Sequence, residues 1–395
     1  MRTQVGIIGA GPAGLLLSHL LHLQGIDSVI LESRSRQYCE QRVRAGLLEQ
    51  GSVDLLNDTG LGERMNREAL VHDGIELCFD GKRRRIDIHE LTGRQVSIYG
   101  QQEIVKDIIA ARLAAGGKII FEAQAKEVGG FEGDKPFIRY MHEGTEHRLD
   151  CDYIAGCDGF HGICREAIPA DIFKGYDRQY PFAWLGMLVQ AKPTADELIY
   201  CHHPEGFALF TMRSSTVSRL YLQVDVDEDA KNWSEDRIWD AFHRRLGQHD
   251  GLEVSMGPLS QIAVTPMRSF VTEPMRVGRM FLAGDSAHIV PPTGAKGMNL
   301  AIADVSVLAR AFIAYYKKNR TDLFDAYSAT CLQRVWRAQH FSWWMTSMMH
   351  PVAGSAFDNE RQIAELEAVT SSRAGSTFLA ENYSGLPLAS WREPV

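Results

Sequence analysis

The residues best placed to do chemistry open the chain. Gly9, Gly11 and Gly14 form a G-x-G-x-x-G cluster with Ala13 inside it, and Glu32 follows Gly14 by 18 residues. Gly9 permits a tight turn, Gly11 lets a pyrophosphate approach the backbone, and Gly14 lets helix and strand pack closely. A helix that starts there offers unpaired N–H groups and a positive dipole end to phosphates. A carboxylate at the tip of the following strand can accept hydrogen bonds from both hydroxyls of an adenosine ribose. The chemistry implied is dinucleotide binding; the competing explanation is a glycine turn that serves packing only. Arg34, Arg36, Arg42 and Arg44 crowd in just afterwards. A basic run is ordinarily a solvated face, but beside a phosphate site it becomes a candidate for anion contacts. Cys201-His202-His203 looks briefly like a metal cluster, yet no second ligand group stands at a familiar spacing, so no metal is expected.

These groups need elements to position them. The first 45 residues read as strand, glycine turn, helix and strand, a βαβ unit. Residues 70–100 alternate in a β manner, with turn signals at Asp73-Gly74, Asp80-Gly81 and Thr92-Gly93. Gln102–Ala115 carries an apolar stripe at helical spacing. From Tyr180 to Val271 the pattern is mostly strands, interrupted by one helix over Ser234–Leu246 with Ser234 as its N-cap. A strand runs into Gly284-Asp285, and a long helix begins near Asn299 and continues through Tyr316. The chain is then helical to about Ala368, with a loop-like tail through Asn382-Tyr383-Ser384. The fold class expected is α/β: a Rossmann-like dinucleotide-binding domain, an antiparallel-sheet substrate domain and a helical C-terminal region. The proposed boundaries are 1–70 for the βαβ unit, 71–100 for strands joining the substrate domain, and 101–178 for the first domain continued. They go on with 179–271 for the antiparallel domain, 272–318 for the first domain completed, and 319–395 for the helical region.

At 395 residues, 45% hydrophobic and 23% charged, the chain has the composition of an ordinary globular protein. A net charge of −8 gives no global basic field for nucleic acid or anionic membrane. No apolar run is read as long enough to span a bilayer, and a strand begins too early to leave room for a signal peptide. Seven cysteines without a C-x-x-C pair suit reduced thiols and a cytoplasmic enzyme.

Three separated motifs now line up: Gly9–Gly14 with Glu32, Cys157-Asp158-Gly159, and Gly284-Asp285. Together they resemble the FAD-dependent aromatic hydroxylases, which are single-component flavoprotein monooxygenases. Longer stretches, Arg42–Gly51, Ile154–Gly162, Pro291–Gly297, Phe341–Ser347 and Glu381–Tyr383, resemble the branch that acts on hydroxybenzoates, and the likeness covers essentially the whole chain. The resemblance implies FAD as cofactor, a nicotinamide reductant (NADPH favoured over NADH), O2 as co-substrate, a small aromatic acid as substrate and a homodimer. It places Arg42, Val43, Arg44, Ala45, Gly46, Leu47 and Gln102 along the cofactor, together with Asp158. Asp285 falls at the ribityl chain, Met298 and Asn299 at a helix N-terminus facing the flavin pyrimidine, and Arg219 where it steadies the flavin as it moves. Ala13 stands where close relatives often have Ser.

For the substrate, the resemblance assigns Arg213 to an aromatic carboxylate, supported by Thr211, Met212 and Tyr221. Tyr200 meets the phenol oxygen, Tyr383 meets Tyr200, and His72 links this relay to solvent. The Pro292 carbonyl completes the phenol's hydrogen bonding, and Lys296 adds positive potential. A phenolate pushes electron density to the ring carbon ortho to its oxygen, and a tyrosine of ordinary pKa near 10 matches a phenol well enough to relay its proton. NAD(P)H falls to Arg34, Tyr38, Arg44, His161, Arg165 and Arg268, with no second G-x-G-x-x-G unit. Tyr200 and Tyr383 opposite Arg213 favour a para arrangement of hydroxyl and carboxylate. The rivals are a sister hydroxylase acting on another hydroxy- or aminobenzoate, and a non-catalytic binding protein on the same scaffold. The Trp336, Trp343, Trp344, Met345, Met348 and Met349 cluster is either core or a dimer surface.

Overall fold

The computed structural model describes residues 1–247 and 249–392. Its first sheet is built on four parallel strands in the order Thr145–Gly156, Arg2–Ile8, Ser28–Leu31 and Lys118–Ile120. Val5 lies opposite both Tyr153 and Ser28. Met280–Leu282 extends the parallel edge beside Thr145–Gly156. The central strands read as nearly continuous apolar runs because both faces are covered. The helix Pro12–His22 lies against this sheet, with Leu15, Leu16, Leu17, Leu20 and Leu21 buried. It starts at Gly11, whose backbone is extended, and has proline at its first position, where a missing N–H costs no hydrogen bond.

Helix Gly297–Lys318 packs against Pro12–His22. By length and composition it could cross a bilayer, which the sequence reading had denied of any segment, but 78% of its apolar stretch is buried inside the protein. Most of its buried residues join the same hydrophobic core as those of Pro12–His22.

The second sheet has eight strands in the order His288–Ile289, Leu259–Glu273, Lys174–Val189, Ser218–Asp225, Ala208–Met212, Leu198–Cys201, Gly74–Phe79 and Lys82–Asp87. It is antiparallel except for one parallel pair, Leu198–Cys201 with Gly74–Phe79. Its two longest strands ignore the boundaries expected at 178/179 and 271/272. Lys174–Val189 and Leu259–Glu273 run through both, paired from Lys174 opposite Glu273 to Val189 opposite Leu259. A third, small sheet joins Leu47–Glu49, Val96–Ile98 and Leu70–His72.

Two segments differ from their expected structure. The Thr92-Gly93 turn signal proves to be the end of a short helix, Ile88–Thr92, capped by Asp87 accepting from the Glu90 N–H at 2.8 Å. The tail is not a loop: Arg373–Ser384 is a helix whose N-cap, Ser372, accepts from Gly375. Its inward residues, Leu379, Ala380 and Tyr383, are too few for a helical period to stand out, and Gly375 argues locally against a helix. All seven cysteines are unpaired.

Candidate active site

The nucleotide edge is made largely of backbone. Gly9 has φ +103°, and a Cβ there would lie 2.3 Å from the Cys157 carbonyl oxygen. A Cβ on Gly14 would lie 2.0 Å from the Gly9 oxygen, whereas one on Gly11 would meet nothing within 4 Å. Two of the three glycines are therefore required by packing, and the middle one leaves open space in front of an uncapped helix start. Ala13 is buried behind it, facing Gly284. Glu32 accepts from the Ala10 N–H at 2.7 Å and the Arg34 N–H at 2.8 Å, and a carboxylate so engaged keeps lone pairs for ribose hydroxyls. Gln102 Oε1 and Asp158 Oδ1 are buried without a partner. The other Asp158 oxygen accepts from Cys164 N–H at 2.9 Å, so Asp158 also caps the short helix Ile163–Glu166.

The chain from Arg42 to Gly46 runs without helix or strand past this edge, with Arg42, Arg44 and Ala45 exposed and Val43 half-buried. Gly46 packs its α-carbon against the Tyr99 carbonyl, and Leu47 begins the small sheet. Arg44 is within electrostatic reach of Arg42 and of the exposed Asp285. Helix Gly297–Lys318 opens without a side-chain cap, so the backbone N–H groups at Met298 and Asn299 present its positive end. The Asn299 side chain, however, is spent on the protein. Its Oδ1 accepts from Glu49 N–H (3.0 Å) and Ser52 Oγ (2.8 Å), and its Nδ2 donates to Leu47 O (3.0 Å). Only its backbone is left for a flavin. Open backbone, uncapped helix starts and orphaned acceptors together fit FAD.

The substrate face is made of side chains brought together by sheet register. Tyr200 lies opposite Leu209, Leu209 opposite Tyr221, and Tyr221 opposite Gly186. Thr211 pairs with Arg219, one alternation further along. Directly paired residues and their i±2 neighbours share a face, so Tyr200, Thr211, Tyr221 and Arg219 all point the same way. Gly186 leaves room for them: a Cβ there would fall 2.9 Å from the Tyr221 ring and 3.1 Å from Arg219 Nη2.

Arg213 folds back over this face. Its Nη1 donates to Thr211 Oγ1 (2.9 Å) and Met212 O (3.0 Å), its Nη2 approaches Tyr221 Oη (3.4 Å), and its Nε is buried without a partner. Among the described residues no carboxylate pairs with it. Desolvation, and then the nearby Arg219, press its pKa down, with Tyr221 opposing. A half-buried cation whose Nε is enclosed and unpartnered gains from an incoming anion. Met212 contributes only its carbonyl, because its side chain alternates to the other face and joins the core.

Tyr200 and Tyr383 are both buried, with their hydroxyls 2.7 Å apart and rings perpendicular at 89°. Burial pushes the Tyr200 phenol up, with the Tyr383 hydrogen bond opposing, and raises Tyr383 further. Both stay protonated, and either can donate to the other.

His72 departs from its expected role. It is 2% exposed, neither ring nitrogen has a partner, and burial lowers its pKa to about 4. It is neutral at pH 7 and bonded to neither tyrosine. Lys296 also departs: it is buried, donating to Glu49 Oε1 (2.6 Å) and to the Tyr383 carbonyl (3.0 Å). Its charge is compensated by Glu49, and it holds Tyr383 in place rather than projecting free positive potential. The Pro292 carbonyl already accepts from Ala295 N–H at 2.9 Å and keeps one lone pair.

The nicotinamide candidates form two groups. Tyr38 is exposed on the helix Arg36–Gln41, with the Arg34 and Arg42 guanidinium carbons 5.3 and 5.7 Å from its ring centroid. Arg165 and Arg268 lie over the Phe160 ring at 4.4 and 4.5 Å, and His161 packs edge-on to it. Arg268 is committed to Asp177 and Arg165 to the Ser286 carbonyl, so neither is wholly free for a phosphate.

Sequence reasoning passed over Glu49, Gly186 and the buried pair Asp304–His288. Asp304 Oδ2 accepts from Gly284 N–H (2.9 Å) and contacts His288 Nε2 (2.6 Å), fixing the Gly284-Asp285 turn. Burial works against the His288 proton, but Asp304 outweighs it and raises the pKa. A glycine within an apolar strand was the one available signal for Gly186.

The FAD binding domain family matches residues 2–342. Over 389 residues, 98% of this chain and 96% of the relative, the sequence is 48% identical to p-hydroxybenzoate hydroxylase of Acinetobacter baylyi. The chain belongs to the FAD-dependent aromatic hydroxylases. This hydroxylase is also 26% identical to rifampicin monooxygenase of Streptomyces venezuelae, over 91% of its own length and 71% of the relative's. Its fold matches p-nitrophenol 4-monooxygenase from Pseudomonas putida at a TM-score of 0.84, with 18% identity over 97% of this chain and 99% of that one. The hydroxylase is thus a homologue of p-hydroxybenzoate hydroxylase with an FAD binding domain, a mixed α/β fold and a helical C-terminal region.

Proposed function

We propose that this hydroxylase converts 4-hydroxybenzoate to 3,4-dihydroxybenzoate, with NADPH (or NADH) as reductant and O2 as oxidant. One observation carries the reading: Arg213, half-buried with its Nε enclosed and no carboxylate partner among the described residues, lies over the sheet face from which Tyr200 reaches Tyr383. Bound FAD would supply hydride acceptance and oxygen activation, held by the Gly9–Gly14 turn, Glu32, the Arg42–Leu47 segment, Gln102 and Asp285.

The chain's own residues do the rest. Arg213 takes the carboxylate, with Thr211 and Tyr221 fixing its fork. Tyr200 takes the phenol's proton as its own passes to Tyr383 and that of Tyr383 moves on to solvent, which leaves a phenolate whose electron density is raised at the ring carbon ortho to oxygen. The Pro292 carbonyl orients the phenol. Lys296 and Glu49 fix the backbone of Tyr383, so the relay distance survives proton movement. Arg34, Tyr38, Arg44, His161, Arg165 and Arg268 are the groups offered to the nicotinamide cofactor. Trp336 and Trp343, exposed on one helix whose Met345, Met348 and Met349 are buried, support a homodimer, and the unpaired cysteines support a cytoplasmic setting.

The test is NADPH and NADH oxidation by the FAD-loaded protein, with and without 4-hydroxybenzoate, with the catechol assayed. Strong stimulation with one 3,4-dihydroxybenzoate per reductant is expected. Stimulation with peroxide and little catechol, or none with this acid, would overturn the substrate assignment and turn attention to other ring acids.

A further inference from the structure

We propose that His350 is a positioning residue for the carboxylate end of the substrate site, fixing the Trp184 indole and, through it, Tyr221 and Arg213. The inference rests on the function proposed above, because it takes Arg213 as the anchor of an aromatic acid.

His350 follows the last residue of the helix Asp322–Met349 and is 1% exposed. Its Nδ1 lies 2.8 Å from the Thr346 carbonyl, which can only accept, so Nδ1 carries the proton. Its Nε2 lies 2.8 Å from Trp184 Nε1, an indole nitrogen that can only donate, so Nε2 is bare. The two contacts demand the same neutral tautomer, and burial, which lowers the pKa to about 3, keeps it. The imidazole is clamped by Phe182 (centroids 4.5 Å, 8°) and Phe207 (4.4 Å). It therefore presents a fixed acceptor to the indole.

Trp184 passes that constraint on. Its ring lies 4.8 Å from Tyr221 at 45°, and Tyr221 Oη is the group Arg213 Nη2 approaches. Gly186 supplies the space in which the tyrosine ring sits, and the ring is held there between the indole and the Arg219 guanidinium, whose carbon lies 5.3 Å from its centroid. The same helix end reaches the phenol side too: Thr346 Oγ1 is 2.8 Å from Thr293 Oγ1, next to Pro292. One helix terminus thus bears on both ends of the site, and the separation it sets is a specificity element for para-substituted acids.

The experiment measures the dissociation constants of 4-hydroxybenzoate and of benzoate, which lacks the phenol, from the flavin absorbance change of FAD-loaded protein. The variants are His350→Leu, His350→Gln, Tyr221→Phe and the His350→Leu/Tyr221→Phe double. Loss of one buried hydrogen bond should raise the His350→Leu constant about tenfold. His350→Gln, whose amide oxygen can still accept from the indole, should stay within about threefold of wild type. In the Tyr221→Phe background, His350→Leu should add little, because both act on one path. Multiplying effects, or an unchanged constant alongside a lowered melting temperature, would overturn the inference. Benzoate showing the pattern while 4-hydroxybenzoate fails to bind would overturn the substrate assignment and support the positioning role. Failure of both ligands to bind the FAD-loaded wild type would overturn both.

Discussion

The nucleotide edge and the substrate face solve opposite problems. At the first, binding capacity lies in the backbone: an open Gly11, uncapped helix starts and turns that tolerate no Cβ at Gly9 or Gly14. At the second it lies in side chains that already bond one another, Arg213 to Thr211 and Tyr200 to Tyr383. The nucleotide edge gives a long, flexible ligand many weak backbone donors. The face proposed for substrate would instead hold a small, rigid ligand by one charge without a carboxylate partner and one hydrogen-bonded tyrosine pair. Damage to the first should appear as folding or cofactor loss, and damage to the second as altered affinity or chemistry in a protein that still binds FAD.

The sharpest break comes within the glycine cluster. Gly14→Ala drives a Cβ into the Gly9 carbonyl and should cost on the order of 3 kcal/mol or more in apoprotein stability, measured by denaturant unfolding. Gly11→Ala should leave that stability within about 0.5 kcal/mol while FAD affinity, followed by flavin fluorescence quenching, falls clearly. Equal destabilisation by the two would erase the distinction between packing glycine and binding glycine.

Arg213→Ala comes next, with a loss of about 2–5 kcal/mol in 4-hydroxybenzoate affinity and normal FAD content. An unaltered dissociation constant would move the anchor elsewhere. Tyr200→Phe should keep substrate binding yet slow hydroxylation about 100-fold, so that reductant is consumed and peroxide released. Unchanged coupling would remove Tyr200 from the relay.

The smallest effect concerns pH. His72 has a folded pKa of about 4, below its ordinary 6.5. Its contribution to stability is therefore complete above pH 6.5 and declines as the pH falls toward 4, while the unfolded chain takes up a proton that the folded chain refuses. By pH 5.5 the loss is about 1 kcal/mol, and His72→Asn should remove that part of the acid-side decline in melting temperature. An identical decline in the variant would mean the side chain is accessible to protons.

The two regions also differ in how legible they were. The glycine cluster and Glu32 could be read because turn, helix start and strand tip lie within one short stretch, each with a local conformational demand. The substrate face could not be read from local pattern, since Tyr200, Thr211, Tyr221 and Gly186 meet only through strand register; there the resemblance to a family supplied the residues. Where resemblance stood alone, the structure altered it. His72 is buried and bonded to neither tyrosine, Lys296 is neutralised by Glu49, and the Asn299 side chain is consumed. Helix Arg373–Ser384 escaped because its glycine and sparse apolar residues hide the period, although it carries Tyr383.

The pairing of Lys174–Val189 with Leu259–Glu273 has a mechanical consequence. Rungs from Lys174 opposite Glu273 to Gln179 opposite Arg268 continue, after a register shift, into rungs from Ala183 opposite Pro266 to Gly186 opposite Ala263 and, after a second, into Leu188 opposite Ser260 and Val189 opposite Leu259. The ladder ties residues on either side of both expected boundaries into one paired unit, like a girder. Sliding one strand along the other would have to break these rungs together, so the two ends of the ladder are held in fixed register.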